Sequence, residues 1–336
     1  MTPPQVSFSF LVILLAAVLG GAAPPDMQRI QLDLPIDCRL GDTCWVANYV
    51  DVDSGTAASD FHCEARTYDG HDGIDLAIRD LSEMNRGMTV QAVAPGIVRR
   101  VRDGVGDAGL ASTSRAAVAG RECGNGVIID HGSGWETQYC HLKQHSVRVK
   151  IGEHVERRQT LGQVGLSGKT EFPHVHLTVR HDGQVIDPFT GEPQNTGCHP
   201  DGRPLWGDSS VAYEEVALYN AGFSAAEPEA DAVRSGQRAG EMLPTDAPML
   251  VLWVDSFGVI AGDQLRFRIR APDGRVILDK ATRIDRTQAR RFAFAGVRRQ
   301  TNRWPAGTYN GDVSLQRESG RAAVSRRVTA KVGMKK

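Results

Sequence analysis

The chain has 336 residues, which is long enough for two domains that each bury a core. Hydrophobic residues make up 41% and charged residues 24% of it, so the composition excludes a wholly disordered protein. The formal net charge of −1 hides an asymmetry, because residues 265–336 carry 19 Lys and Arg against 5 Asp and Glu. The acidic N-terminal part of the chain and the basic residues 265–336 therefore either attract each other or interact with different partners.

The N-terminus carries an uninterrupted apolar run at residues 10–23, followed by Pro24 and Pro25. This run is too short to span a ~30 Å hydrocarbon core as a helix, but it suits a signal peptide. With small residues at 21–23 as the cleavage site, residues 1–23 are predicted to be a signal peptide. The absence of Lys and Arg before the run favours the alternative, an uncleaved anchor. We expect export to the periplasm or beyond, with no transmembrane segment after cleavage and no nucleic acid as partner.

Six cysteines fit an oxidising compartment. Two of them close a short loop and two flank a predicted hairpin, which leaves the third pair by elimination. A zinc site with cysteine ligands is the alternative, but no C-x-x-C spacing occurs. The disulfides predicted are Cys38 with Cys44, Cys123 with Cys140, and Cys63 with Cys198.

Residues 24–65 show no sustained hydrophobic period and are predicted to be a lead-in segment. From Thr67 to Cys198 the sequence consists of short β-type runs separated by glycines, including a hairpin that turns at residues 132–134. No long amphipathic helical period occurs there, so residues 66–200 are predicted to be a mainly antiparallel β domain. Residues 105–122 are rich in small residues and are expected to form an inserted surface loop.

Residues 201–240 are rich in Gly, Ala and acids, and are predicted to be a linker with a short helix near Tyr213–Tyr219. Alternation of apolar and polar residues returns after Pro244, so residues 241–336 are predicted to form a small β-sandwich. Arginines occupy many outward positions of its strands and are expected to form a solvated face. The alternative is that this basic domain binds an anionic envelope polymer electrostatically.

Two groups of histidines and acids are candidates for chemistry. His174 and His176 are two residues apart, so on a strand they face the same side. His71 and Asp75 lie four apart and share a parity. If the two strands are neighbours, His71, Asp75 and one of the later histidines converge. Two imidazoles and a carboxylate are typical of catalytic zinc, with the fourth position left for water. The remaining histidine of the pair and His141 are candidates to move protons.

At these motifs the chain resembles the lysostaphin/LytM-type zinc endopeptidases, which cut peptide bonds in peptidoglycan. The resemblance covers residues 67–188 and consists of H-x-x-x-D, the hairpin GNGVIIDHGSGWETQYCHL, the turn series VKIGEHVERRQTLGQVGLSG and H-x-H. It implies a β-sheet groove of the duplicated hybrid motif type and hydrolysis of peptidoglycan stem peptides or cross-links. It also implies that one Zn²⁺ is bound by three ligands and flanked by two catalytic histidines. The implied ligands are His71, Asp75 and His176, and the implied catalytic residues are His141 and His174.

Several positions depart from the family pattern and are expected to reshape the groove. Glu171 and Phe172 stand where the family usually has small residues, and Thr178 stands where a Glu often follows H-x-H. Asn48 in the lead-in is a candidate to occupy the open metal position in a latent form. The alternatives to a peptidoglycan hydrolase are a catalytically silent wall-binding or amidase-regulating module, and a secreted peptidase acting on Gly-rich proteins.

Overall fold

The structure is a computed structural model that describes Met1 and residues 29–207, 211–236, 242–318, 320 and 323–333. Apart from Met1, the predicted signal peptide lies outside the described residues. Within the described ranges, no helix is long and apolar enough to cross a membrane. The described chain is mainly β, and nearly all its strands pair antiparallel, which confirms the predicted fold class.

The first domain is organised around a twisted antiparallel sheet, in the order β1-β2-β9-β6-β5-β4-β7, with β10 paired to β9 and a small β3-β8 ribbon beside it. Strand β9 is central and is buried on both faces over most of its length. The strands are β1 Cys44–Asn48, β2 Ile74–Ile78, β3 Thr89–Gln91, β4 Gly96–Arg102, β5 Asn125–Gly132, β6 Trp135–Leu142, β7 His154–Val155, β8 Thr160–Gln163, β9 His174–His181 and β10 Gln184–Ile186.

Helices in this domain are short and lie in the connections. Helix α1, Leu81–Arg86, begins where the Asp80 carboxylate accepts a hydrogen bond from the backbone N–H of Glu83, and it ends at Gly87 in the left-handed region. The predicted inserted loop contains α2, Gly109–Ser112, and a 3₁₀ turn, Ala116–Val118.

Strand β1 lies inside the range predicted as a lead-in segment, so this range also contributes an edge strand to the sheet. All five of its residues are buried. Val46 packs into the core of the first domain, while Trp45 and Ala47 belong to a second cluster on the other face. A strand buried on both faces shows no polar–apolar alternation, which is why its sequence has no visible period.

The second domain contains a three-stranded sheet, β11-β13-β16, and a five-stranded sheet, β12-β18-β17-β14-β15, packed around one core. A small β-sandwich was expected over residues 241–336, and the observed one also includes β11, which precedes that range. Helix α3, Ala230–Arg234, precedes β12. The strands are β11 Ala217–Ser224, β12 Met242–Pro244, β13 Met249–Val259, β14 Gln264–Arg270, β15 Val276–Arg283, β16 Gln288–Arg298, β17 Gly307–Gln316 and β18 Ala323–Gly333.

Strand β11 lies within the predicted linker, so neither a linker throughout 201–240 nor a helix near Tyr213–Tyr219 is correct. The strand pairs along β13. Its Gly222 allows the ring of Trp253 to lie against the backbone, since a Cβ there would come within 2.5 Å of that ring. Glycine in this segment therefore marks a close packing contact and not a flexible connection.

The two domains share a buried interface. Trp45, Ala77, Tyr219 and Phe257 form an apolar cluster, with Phe172 packed against it. Beside this cluster the buried guanidinium of Arg66 donates hydrogen bonds to the carbonyl oxygens of Val46, Ala47 and Glu214. Apolar burial and satisfied polar groups together fix the sandwich against the sheet.

All three predicted disulfides are present, and none of the described cysteines is free. Cys63–Cys198 joins the segment before β2 to the segment after β10, across a sequence separation of 135 residues. Cys123–Cys140 joins the segment before β5 to strand β6, one residue before His141. Two of the three bridges therefore connect segments that flank the predicted site.

Candidate functional site

Strand register brings the predicted ligands together. Asp75 on β2 lies directly opposite His176 on β9, and Asn48 on β1 lies opposite Asp75. Residues directly opposite in neighbouring strands point to the same face, with their Cβ atoms about 5 Å apart. Three adjacent strands thus place an amide, a carboxylate and an imidazole in one row, and His71 reaches the row from the turn before β2.

Three donor atoms meet at the centre of this row. The Nε2 of His71 lies 3.1 Å from the Nδ1 of His176 and 3.2 Å from the Oδ1 of Asp75, and the last two atoms are 2.9 Å apart. All three side chains are buried. Tetrahedral zinc with ligands at 2.0–2.2 Å requires its donors to lie roughly 3.3 Å apart. The spacing and the chemistry of the three donors therefore fit one zinc-sized cation.

The second polar atom of each candidate ligand has a protein partner. The Nδ1 of His71 lies 2.6 Å from the carbonyl oxygen of Tyr49. Because a carbonyl only accepts, Nδ1 carries the proton and Nε2 presents its lone pair. The Nε2 of His176 lies 3.0 Å from the Oγ1 of Thr178, and the Oδ2 of Asp75 accepts a 2.8 Å hydrogen bond from the amide of Asn48. Such partners fix tautomer and orientation, as in metal sites generally.

Gly73 makes room for one of these ligands. A Cβ at this position would lie 2.6 Å from the Nε2 of His176 and 2.6 Å from the carbonyl oxygen of Leu177. Only glycine lets the turn before β2 approach β9 this closely.

His141 and His174 flank the three donors. The Nε2 of His174 lies 3.2 Å from the Oδ1 of Asp75, and its ring centroid is 4.7 Å from that of His141. His141 has a φ of +63°, an uncommon conformation for a residue other than glycine. This conformation interrupts the strand alternation after Cys140, so the His141 ring also comes within 6.1 Å of His176. Its Nδ1 lies 2.8 Å from the carbonyl oxygen of Ser167, which leaves Nε2 unprotonated in the neutral ring.

In this cluster the carboxylate of Asp75 lies among imidazole rings, and these side chains shift one another's pKa values. Burial alone would raise the pKa of Asp75, but His71 and His174 hold it well below its usual range. Burial would lower the pKa of His176, yet the hydrogen bonds that its ring donates to Asp72 and Asp75 outweigh burial and raise that pKa to about 9. Burial, together with the neighbouring imidazoles, holds the pKa of His141 well below its ordinary value.

A cavity of about 470 Å³ opens onto these residues. Asp75, His141 and His174 line it, together with the segment 169–172. Residues of the sandwich form part of its wall, which makes the groove a joint product of the two domains. The wall residues from the sandwich are Phe257, Ala289 and Arg290.

The structure brings all five predicted site residues to one place, while their roles as ligands or catalysts remain predictions. Asn48 is near the site as expected, but its amide contacts Asp75, as described above. The sequence reasoning did not identify the carbonyl of Tyr49 or the carboxylate of Asp72, which lies 3.3 Å from the Nε2 of His176. It treated Thr178 only as a departure from a pattern. The alternation of β9 was the available signal, because Thr178 shares the parity of the two histidines.

Comparison with known proteins gives a family for this part of the chain. Residues 69–188 match the model of Peptidase family M23, which confirms the resemblance stated from the sequence. The chain is 30% identical over 129 residues to the DD-carboxypeptidase/endopeptidase Mpg of Neisseria meningitidis serogroup B, covering 38% of this chain and 24% of the relative. It is 42% identical over 64 residues to the peptidoglycan DD-endopeptidase ShyA of Vibrio cholerae, covering 19% and 14%.

Among solved structures, the chain is similar to the catalytic domain of lysostaphin from Staphylococcus simulans. Identity is 21%, the TM-score is 0.27, and the match covers 36% of this chain and 77% of that one. The two curated relatives above are matched over a quarter or less of their own length.

Proposed function

We propose that this protein is a zinc-dependent endopeptidase that hydrolyses peptide bonds in the stem peptides or cross-links of peptidoglycan. The observation that carries the proposal is the buried group formed by His71, Asp75 and His176. Its donor atoms are separated by 2.9–3.2 Å, and each ligand is oriented by a second contact. A group with this composition would hold one Zn²⁺ and leave one tetrahedral position open.

Zinc bound there would supply a Lewis acid and lower the pKa of water towards about 7. His141 is the proton acceptor in the proposed reaction, because its Nδ1–H is engaged by Ser167 and its Nε2 is unprotonated. It would receive the proton of the attacking water at Nε2 and deliver it to the leaving amine. The Nδ1 of His174 lies 2.9 Å from the carbonyl oxygen of Phe172. The Nε2–H of His174 would donate a hydrogen bond to the oxygen that becomes negative.

Peptidoglycan as the substrate is supported by the M23 match and by the printed activities of Mpg and ShyA. The three disulfides support a location outside the cytoplasm, where such bonds persist. The cavity of about 470 Å³ is large enough for a segment of peptide.

The test begins with zinc content and activity of the purified protein. Intact peptidoglycan and a Gly-rich polypeptide are each incubated with it, and new termini are identified by mass spectrometry. We expect new termini in peptidoglycan only. His141→Ala should retain zinc and lose 10²–10⁴-fold in turnover, the usual contribution of a general base. His176→Ala should lose both zinc and turnover.

His154→Ala is the matched control, because this side chain is 64% exposed and lies outside the groove. It should change neither zinc content nor turnover. Equal loss of zinc from the His141 and His176 variants would contradict the assigned roles. Stoichiometric zinc without new termini in either substrate would favour the catalytically silent wall-binding module.

A further inference from the structure

The groove has one charged side chain that comes from the sandwich. Arg290 on β16 lines the cavity together with His141 and His174 of the first domain. Its side chain is 18% exposed, so the guanidinium is largely desolvated and still reaches the groove. A charge in this setting interacts more strongly with a bound ion than one on an open surface.

The guanidinium of Arg290 is held in place before any substrate arrives. Its Nε donates a 2.8 Å hydrogen bond to the hydroxyl of Tyr219, and its Nη2 lies 3.1 Å from the Oδ2 of Asp255. It also lies over the rings of Phe172 and Tyr219, in each case 5.5 Å from the centroid. These contacts occupy one edge of the guanidinium. Within the described ranges, Nη1 donates no hydrogen bond to the protein.

Arg290 shares its carboxylate partner with a second arginine. Asp255 is fully buried and is shared with a second guanidinium, since the Nε of Arg234 lies 2.8 Å from its Oδ2. Burial raises the pKa of Tyr219 far above its usual value, so that hydroxyl stays neutral. Asp255 therefore faces two arginines, and Asp231 acts on Arg234 as well. Arg115 and Lys169 also line the cavity, together with the acids Asp69, Asp75 and Glu171.

Arg290 is separated from the reacting side chains by one aromatic ring. Phe172 contacts the guanidinium of Arg290 at 5.5 Å and the imidazole of His174 at 4.7 Å. An extended peptide advances ~3.4 Å per residue. A peptide lying in the groove would thus place a group within roughly three residues of its cleaved bond against Arg290.

We propose that Arg290 binds a carboxylate of the substrate peptide, so that the sandwich forms part of the substrate site. Arginine is suited to this role because its guanidinium stays charged, and the free Nη1 can donate a charge-assisted hydrogen bond to a carboxylate. The proposal rests on the proposed function, since it requires a peptide in this groove.

Binding is measured on the full chain with zinc and the His141→Ala change, so that the peptide stays intact. The probes are two synthetic peptidoglycan stem peptides, one with free carboxylates and one with the same carboxylates amidated. Isothermal titration should show about tenfold tighter binding of the free form, the size expected for one charge-assisted hydrogen bond. Adding Arg290→Gln should abolish this preference, and Arg290→Lys should retain part of it, because the charge remains.

Arg298→Gln is the matched control, because Arg298 lies on the same strand at its far end and is exposed. It should preserve the preference for free carboxylates. Persistence of the preference in folded Arg290→Gln, or absence of binding by both peptides, would overturn the proposal. If Arg290→Gln does not fold, an unreduced preference in Arg290→Lys would overturn it. Cleavage of peptidoglycan by the unmodified chain is measured separately. A failure of the proposed function can therefore be distinguished from a failure of the proposal for Arg290.

Discussion

Replacing Gly73 with alanine tests the geometry of the proposed zinc site, formed by His71, Asp75 and His176, without touching a proposed ligand. The new Cβ would lie 2.6 Å from the Nε2 of His176, whereas ordinary contact begins near 3.4 Å. The carbonyl oxygen of Leu177 is equally close, so moving the imidazole alone does not relieve the clash. Gly73 has no positive φ, so the substitution introduces crowding and no backbone strain.

The required displacement is large compared with the tolerance of a zinc site. His176 must retreat by most of an ångström, while ligand distances in such sites vary by about ±0.2 Å. We therefore expect Gly73→Ala to lower zinc affinity at least 10–100-fold, as disruption of ligand orientation does elsewhere. Crowding should also lower the free energy of unfolding by about 1–3 kcal/mol.

Zinc affinity is measured by competition with a chromogenic chelator, and folding by circular dichroism and thermal unfolding. Gly106→Ala is the control, because its φ is not positive and the nearest atom to its Cβ would be 3.9 Å away. It should leave zinc affinity unchanged. A folded Gly73→Ala protein with the zinc affinity of the unmodified chain would refute the packing argument.

Two further predictions concern Asn48, a hydrogen-bond partner in the proposed zinc site, and a carboxyl group away from that site. Asn48→Leu removes the hydrogen bond to Asp75 at similar volume and should weaken zinc binding 10–100-fold in the same competition assay; an unchanged affinity would contradict the role given to Asn48. Asp187 is buried, and its Oδ2 has no hydrogen-bond partner within the described residues. Burial raises the pKa of its carboxyl to about 7. Between about pH 4 and 7 the native state therefore binds a proton that the unfolded state lacks. The stabilising contribution of this proton should be present below pH 4 and be lost as the pH rises to 7. Between pH 4.5 and 8, Asp187→Asn should therefore gain stability relative to the parent protein, on the order of a few kcal/mol. Denaturant unfolding measures this difference. A difference that does not change with pH would refute this assignment.

The convergence of the site residues could be predicted because it depends on strand periodicity and on motif spacing. His174 and His176 share a face by the two-residue period of a strand, and Asp75 follows from its parity with His71. The contacts that orient them could not be predicted. The carbonyl of Tyr49 is a backbone atom without a residue signature, and Asn48 reaches Asp75 only through the pairing of β1 with β2.

The domain boundaries were harder to predict for a related reason. Strands β1 and β11 lie at the interface between the two domains, and their residues are buried on both faces or packed against an aromatic ring. Neither environment produces alternation, and the small residues of β11 have the composition of a linker. The charge asymmetry likewise did not indicate that Arg290 would reach the groove, because that depends on how the sandwich is placed.

Strand β1 connects the proposed zinc site to the second domain, which leads to a prediction about the N-terminal segment. Its Asn48 contacts Asp75, while its Trp45 packs 5.9 Å from Tyr219 of the sandwich. A chain that begins at residue 66 would keep every predicted ligand and all of the family match, yet would lose this strand and the carbonyl of Tyr49. It should bind zinc more than 100-fold more weakly than a chain beginning at residue 29, or fail to fold, since β2 would lose its neighbour and its orienting contacts together. Zinc competition on the two purified chains decides the matter, and equal affinities would show that the segment before residue 66 has no part in the site.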